Sequence, residues 1–397
     1  MKKSLLSPAV CTAITCATVV VSSIASANAS QYGASITVEE KRISKAQQQM
    51  PQVASRHNKR IIAFTEQLSR ARNYTALTQI VLRHANALWQ ESVVAFANDN
   101  KYDDRTLYWA RLQMTKALRS APTFGELLDD QQEKLLWKFE LLSRGQQDVK
   151  FNKNADYKIL LTGFDPFFLD KNLDQSNPSG VAALAFDNLF LSVEGKSIEV
   201  ETVILPVRFE DFDKGMVETL LKPYFKGSKV DMVVTVSMGR DDFDLEHFPG
   251  KRRSAAAPDN LNVLTGANKQ NPLIPMLENK PLQGPEFTRY SLPYQAMQQV
   301  NSPFKVNDNR KVTTLEKTFE ASSLKSLANA TSVEGSGGGY LSNEISYRSM
   351  ILRNDYAPVM PVGHIHTPRF KGFEPEKSEQ ITEQIKRMLL KAVGSFN

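Results

Sequence analysis

From Lys158 onward, short apolar runs alternate with stretches of helical periodicity, and two of the runs stop at a glycine. Lys158-Ile159-Leu160-Leu161-Thr162 ends at Gly163, residues 232–237 end just before Gly239, and residues 198–206 alternate in the manner of a strand. Residues 331–333 and 362–366 read as two further strands, with helical patterns at 181–191, 209–221, 294–300 and 381–393. Strands alternating with helices fold as an α/β domain whose largely parallel sheet carries helices on both faces. The expectation is a three-layer α/β/α domain over residues 156–397. Loops at the carboxyl ends of such strands hold the functional site. That rule brings 163–167, 239–246, 335–342 and 364–368 to one rim.

One of those loops has unusual chemistry. Gly335, Gly337, Gly338 and Gly339 lead into Tyr340-Leu341-Ser342-Asn343 and a helical run through Arg353. A glycine-rich turn feeding a helix start aims free backbone N–H groups at one spot, where they can hold an anion or a developing oxyanion. Ser342 stands where a nucleophile would stand. Serine is also a common helix N-cap, and the stretch alone leaves both uses open.

Ahead of the α/β pattern, residues 38–148 contain only Gly125 and Gly145 as glycines, carry all three tryptophans, and repeat apolar residues at helical spacing. They predict four or five helices, either as a small bundle or packed onto the next domain. Asp103-Asp104 is a candidate helix start, and 145–147 and 152–154 read as linker. His57 and His84 lack a second ligand at metal spacing. No His/Cys/Asp cluster of that kind occurs anywhere, so neither a metal nor an organic cofactor is expected. The 397 residues carry a net charge of +6 from 49 basic and 43 acidic side chains. These are spread along the chain with no dense basic run among aromatics, which excludes a nucleic-acid footprint.

Met1-Lys2-Lys3, the mostly apolar 9–24 and the small-residue pairs at 25–29 form a secretory signal over 1–29, cut after Ala29. Both cysteines, Cys11 and Cys16, lie inside it. The mature chain is then a secreted, periplasmic protein without thiol or disulfide chemistry and without a membrane span, with a helical region at 30–150 and the α/β domain at 156–397. Its oligomeric state is not legible.

The ordered set Thr162-Gly163-Phe164-Asp165-Pro166-Phe167, Asn177-Pro178-Ser179, Gly239-Arg240, Glu246, Pro258-Asp259-Asn260, Gly284-Pro285, Tyr290-Ser291-Leu292-Pro293, Gly339-Tyr340-Leu341-Ser342-Asn343 and Gly363-His364-Ile365-His366-Thr367-Pro368 resembles the pyroglutamyl peptidase type I (pyrrolidone-carboxylate peptidase) family. The resemblance spans residue 157 to the C-terminus and none of the helical region. It implies a triad in which Glu246 and His366 take the family's glutamate and histidine positions, and Ser342 takes that of the nucleophilic cysteine. Phe164 and Phe167 match the ring-stacking phenylalanines, and Asn177 a polar pocket residue. The implied substrate is an N-terminally pyroglutamylated peptide or a related small acyl compound. Three departures stand out. Serine replaces cysteine, Ala256 replaces an arginine credited with helping at the oxyanion, and Phe168-Leu169 opens a longer loop to Gln175 where the family has Gly-Gly. Arg252 and Arg253 are the nearby cations that could stand in. A non-catalytic binding module that kept the pocket is the alternative, as is an envelope interaction protein working through its helices.

Overall fold

The structure, a computed structural model, describes residues 31–99 and 101–396. The expected signal segment and both cysteines lie outside them. Seven strands form the main sheet: β1 (Tyr157–Phe164), β2 (Leu189–Val193), β3 (Lys196–Leu205), β4 (Met232–Met238), β5 (Phe243–Glu246), β6 (Val306–Asn309) and β7 (Val362–Thr367). Their order is β2-β3-β1-β4-β7-β5-β6. The pairs β1–β3, β1–β4, β4–β7 and β5–β6 are parallel, whereas β2–β3 and β5–β7 are antiparallel. The sheet is mostly parallel, as the alternating pattern demands.

Eight principal helices accompany it, α1 (Asn58–Arg70), α2 (Tyr74–Asp99), α3 (Arg105–Arg119), α4 (Asp129–Leu142), α5 (Pro178–Phe186), α6 (Met216–Phe225), α7 (Leu341–Tyr356) and α8 (Pro375–Val393), of which α5 to α8 lie against its strands. The chain steps from β1 outward to β3 through α5, then back across β1 to β4 through α6. Right-handed crossovers in opposite directions put their helices on opposite faces. Accordingly α8 packs beside α5, and α7 beside α6.

The helical region is continuous with this domain. One apolar core runs from Phe64, Leu88, Trp89 and Phe139 through Leu160 and Val203 to Met388. The expected linker start is fixed in place. The Arg144 carbonyl accepts from the Ile204 N–H at 3.1 Å, and a side chain on Gly145 would run into Trp89 and the Thr202 carbonyl. His57 and His84 are buried, and desolvation holds each at a pKa of about 4, so both are neutral core residues.

Several boundaries differ from expectation for identifiable reasons. Residues 209–221 are two helices because Gly215, at φ 83°, breaks the run after Asp213. Helix α5 stops at Phe186, and residues 189–191 belong to a hairpin closed by Glu194 and Gly195, both at positive φ, as two-residue primed turns require. The helix at 294–300 shortens to Tyr294–Met297, while α8 starts six residues earlier, at Pro375. The strand at 331–333, observed as Ser332–Glu334, lies in a separate three-stranded antiparallel sheet with Lys311–Thr314 and Thr318–Glu320.

Candidate active site

Helix α5 begins at the sheet rim because Asn177 caps it. Its Oδ1 accepts from the Ser179 N–H at 3.1 Å and from the Ser179 hydroxyl at 2.8 Å, with Pro178 at the first helical position. The Asn177 amide donates back to the Asp165 carbonyl at 2.9 Å, tying the helix start to the loop after β1. That loop presents Phe164, stacked on Phe212 at 6.2 Å, and Phe167. Asn260 donates to the Pro166 carbonyl at 2.8 Å, while Asp259 accepts from the Phe209, Leu261 and Val263 N–H groups. The Pro-Asp-Asn match thus positions loops.

The helical region grips the same loop from outside. Arg111 and Arg144 both donate to Asp165 Oδ2, at 2.6 and 2.8 Å. Burial works against the charged carboxyl, but the two guanidiniums overrule it and hold its pKa below the usual range. The inserted stretch docks likewise: Leu169 and Leu173 bury against Tyr108, Trp109 and Leu112, Asp170 pairs with Arg42, and Asp174 pairs with Arg105. Phe168 stays partly exposed beside Phe167.

Asp104 turns away from α3 to accept from the Ser176 hydroxyl at 2.5 Å and the Asn177 N–H at 3.1 Å. Burial raises its pKa to about 8. A carboxyl raised from about 3.9 stabilises the fold fully below that value, and the contribution disappears as pH rises through about 8. Asp104→Asn, which cannot titrate, is expected to flatten the fall in Tm between pH 5 and 9. An unchanged Tm profile in that variant refutes this assignment.

Glu246 ends β5 and is fully buried; its Oε1 meets His366 Nδ1 across the antiparallel β5–β7 pair, and its Oε2 accepts from Asn309 at 2.9 Å. Burial raises its pKa, and the His366 ring counteracts that. His366 retains 8% exposure. Gly239 is required beside it, since a Cβ there would lie 2.5 Å from the His366 Cβ.

The glycine-rich turn closes on itself through mutual Gly335–Gly338 backbone bonds of 2.9 Å, with Gly338 at φ 84°. Asn343 clamps it to Gly250, donating to the carbonyl at 2.7 Å and accepting from the N–H at 2.9 Å. The turn delivers Ser342 to the second position of α7, which has no side-chain cap. The first-turn N–H groups therefore lack a side-chain acceptor. Ser342 Oγ donates to the Gly337 carbonyl at 3.3 Å. Gly337 also lies against His366, with its Cβ direction 3.5 Å from Cε1. Ser342 and His366 thus flank one residue.

A small cavity of about 40 Å³ is lined by Phe164, Phe167, Asn177, Val207, Ser237, Met238, Tyr340, Leu341 and Ser342, and neither Glu246 nor His366 lines it. Ser342, Phe164, Phe167 and Asn177 meet there, and the Glu246–His366 pair approaches Ser342 only through Gly337. Neither Arg252 nor Arg253 takes the place of an arginine at Ala256: Arg252 pairs with Glu286, and Arg253 is buried between Glu344 and Asp213. Sequence reasoning missed Asn309, Ser237 and the Arg111–Arg144 clamp. His364, two residues before His366 on one strand face, was the available pointer to Ser237.

Family profiles match both parts of the chain: the PA0049 N-terminal domain over residues 22–140 and the PA0049 C-terminal domain over 158–289 and 288–371. The chain belongs to the PA0049 family. An uncharacterized family protein, PA0049 of Pseudomonas aeruginosa, is 28% identical over 76% of this chain and 71% of its own length. Among solved structures, a mutant pyrrolidone carboxyl peptidase from Pyrococcus furiosus is similar at 20% identity over 60% of this chain and 100% of its own, with a TM-score of 0.42. Structures of that enzyme and its cysteine-free mutant are similar at 19% identity over 59% of this chain and 98% of theirs, with a TM-score of 0.39. The strand order and register given above, rather than these superpositions, define the fold.

Proposed function

We propose that the protein is a periplasmic hydrolase of the pyroglutamyl-peptidase type, removing an N-terminal pyroglutamyl or related acyl group with serine in place of cysteine. The observation that carries the reading is that Gly337 lies against the Glu246-paired His366 and accepts from Ser342, which lines a cavity with Phe164, Phe167 and Asn177. A serine hydroxyl is nearly un-ionised at neutral pH and must surrender its proton during attack. His366 Nε2 is the base in this reading, and Glu246 orients the ring and stabilises the imidazolium. Ser342 must first leave the Gly337 carbonyl and turn toward His366; catalytic hydrogen bonds are often long or misaligned without substrate. The first-turn N–H groups of α7 receive the oxyanion. The cavity is far smaller than the ~300–1,000 Å³ of ordinary ligand pockets, so a ring is admitted only when a half-buried wall residue, Phe167 or Met238, swings aside.

The second reading is a binding protein that retains the pocket without turnover. It is favoured by the Ser342 hydroxyl resting on Gly337 and by Ala256. A fluorogenic pyroglutamyl substrate and a phosphonylating reagent distinguish the two. The hydrolase cleaves the first and is labelled by the second at Ser342, and both signals vanish in Ser342→Ala. His366→Ala loses about 10²–10⁴-fold in rate, the usual contribution of a general base. No cleavage and no label, with a Tm raised by pyroglutamate, establishes the binding reading instead.

A further inference from the structure

Thr235 and Ser237 alternate onto one face of β4, and His364 and His366 onto one face of β7. The parallel register sets His364 opposite Thr235 and His366 opposite Ser237. Both nitrogens of the fully buried His364 ring are used: Nδ1 meets Thr235 Oγ1 at 2.8 Å and Nε2 meets Ser237 Oγ at 2.7 Å. Thr235 Oγ1 also lies 3.3 Å from the Gly363 carbonyl, to which it can only donate. A hydroxyl has one proton. When that proton goes to Gly363, Thr235 accepts from Nδ1–H, which leaves Nε2 bare. Nε2 therefore takes the Ser237 proton, an assignment set by the whole network of donors and acceptors. Burial, and then the neighbouring His366, push the His364 pKa well below its usual value, so the ring stays neutral.

Ser237 is 5% exposed and lines the cavity beside Ser342. Its proton is committed inward, so only its lone pairs remain for a ligand. We infer that Ser237 is a specificity-determining residue, a hydroxyl locked as acceptor that reads an N–H donor on the ring of the bound acyl group. The inference rests on the proposed pocket and goes beyond the resemblance, which assigns this position no role. A ligand lacking the donor leaves a buried acceptor unpaired, and sites of this kind discriminate strongly against such analogues. His364 does not serve as a base here. It has no carboxylate partner, and an imidazolium would have to form in a fully buried place beside His366.

The test compares L-pyroglutamate, whose ring carries N–H, with the γ-lactone 5-oxotetrahydrofuran-2-carboxylate, whose ring carries oxygen, by calorimetry on the full mature chain. The wild type is expected to bind the lactam at least tenfold more tightly. Ser237→Ala should bring the two affinities within about twofold, chiefly by weakening the lactam. These fold-changes are those of one buried hydrogen bond. Thr235→Val, nearly isosteric and outside the cavity lining, removes the acceptor for Nδ1–H. The ring proton can then move to Nε2 and make Ser237 a donor, so the lactam preference should also collapse. Equal wild-type affinities overturn the inference and leave the pocket reading standing. A preference that survives in both variants overturns it as well. If neither compound binds the wild type, both readings fall together.

Discussion

Ser342→Cys is expected to cleave a fluorogenic pyroglutamyl substrate at least tenfold faster than the wild type near pH 7.5. A cysteine beside an imidazole ionises far more readily than serine, and its thiolate needs no base at the moment of attack. The longer C–S bond also extends the nucleophile from the same backbone position, where the hydroxyl now rests on the Gly337 carbonyl. In that reading the Glu246–His366 contact and the uncapped start of α7 suit a thiolate–imidazolium pair, while Ala256 leaves the family arginine unreplaced. The informative contrary result is an active wild type that gains nothing from the exchange, because that identifies a site rebuilt around serine. If neither form turns over substrate while pyroglutamate raises the Tm, the protein is a binding module.

The second large effect concerns the helical region. A chain starting at Asp156 is expected to be insoluble or unfolded, although it contains the whole main sheet. Removing the helices strips Arg111 and Arg144 from Asp165, leaving it without a cation, and strips Glu140 and Glu39 from Arg208, leaving it only Asp211. Breaking one buried pair by removing a partner costs about 3–5 kcal/mol, against a whole-domain stability of about 5–15 kcal/mol. Trp89, which packs in the shared core and donates to Asp187 at 3.1 Å, is lost too. Circular dichroism of the shortened chain checks this. A cooperative thermal transition near that of the full protein would falsify the integral-layer account.

Much of this architecture was legible. Strands β1, β3, β4 and β7 are buried strands of a parallel sheet, so their sequences are plain apolar or alternating runs. The rim positions of Phe164 and His366 followed from them, at the ends of β1 and β7, whereas Ser342 was placed there through residues 331–333, which pair in another sheet. The strand holding Glu246 was not legible. Phe243-Asp244-Leu245-Glu246 has only four residues, and two of them are carboxylates that find partners in Arg240, Asn307, Asn309 and His366. Such pairing is tertiary and leaves no periodic trace. The same holds for the clamp on Asp165, whose arginines lie 54 and 21 residues earlier in sequence. The 194–195 hairpin turn did leave a signal, a glycine between two runs, but the apolar stretch before it continued the helical pattern and masked it. Ser332–Glu334 was legible as a strand, though not its sheet, since three short segments pair there without a helix to order them.

Strand β7 lies in the interior of the sheet, between β4 and β5, yet it is the last strand in the chain. During synthesis the helical region and β1 to β4 are complete long before it appears. Until residues 362–367 are made, β4 and β5 have no strand between them, and each shows an open edge. Such edges recruit other chains, and a core that waits on a distant segment closes slowly because loop closure precedes its reward. His366 arrives on that same strand. A ribosome that stops short of it leaves a polypeptide with neither a closed sheet nor the histidine facing Glu246, so completion of the fold and assembly of the site are one late event.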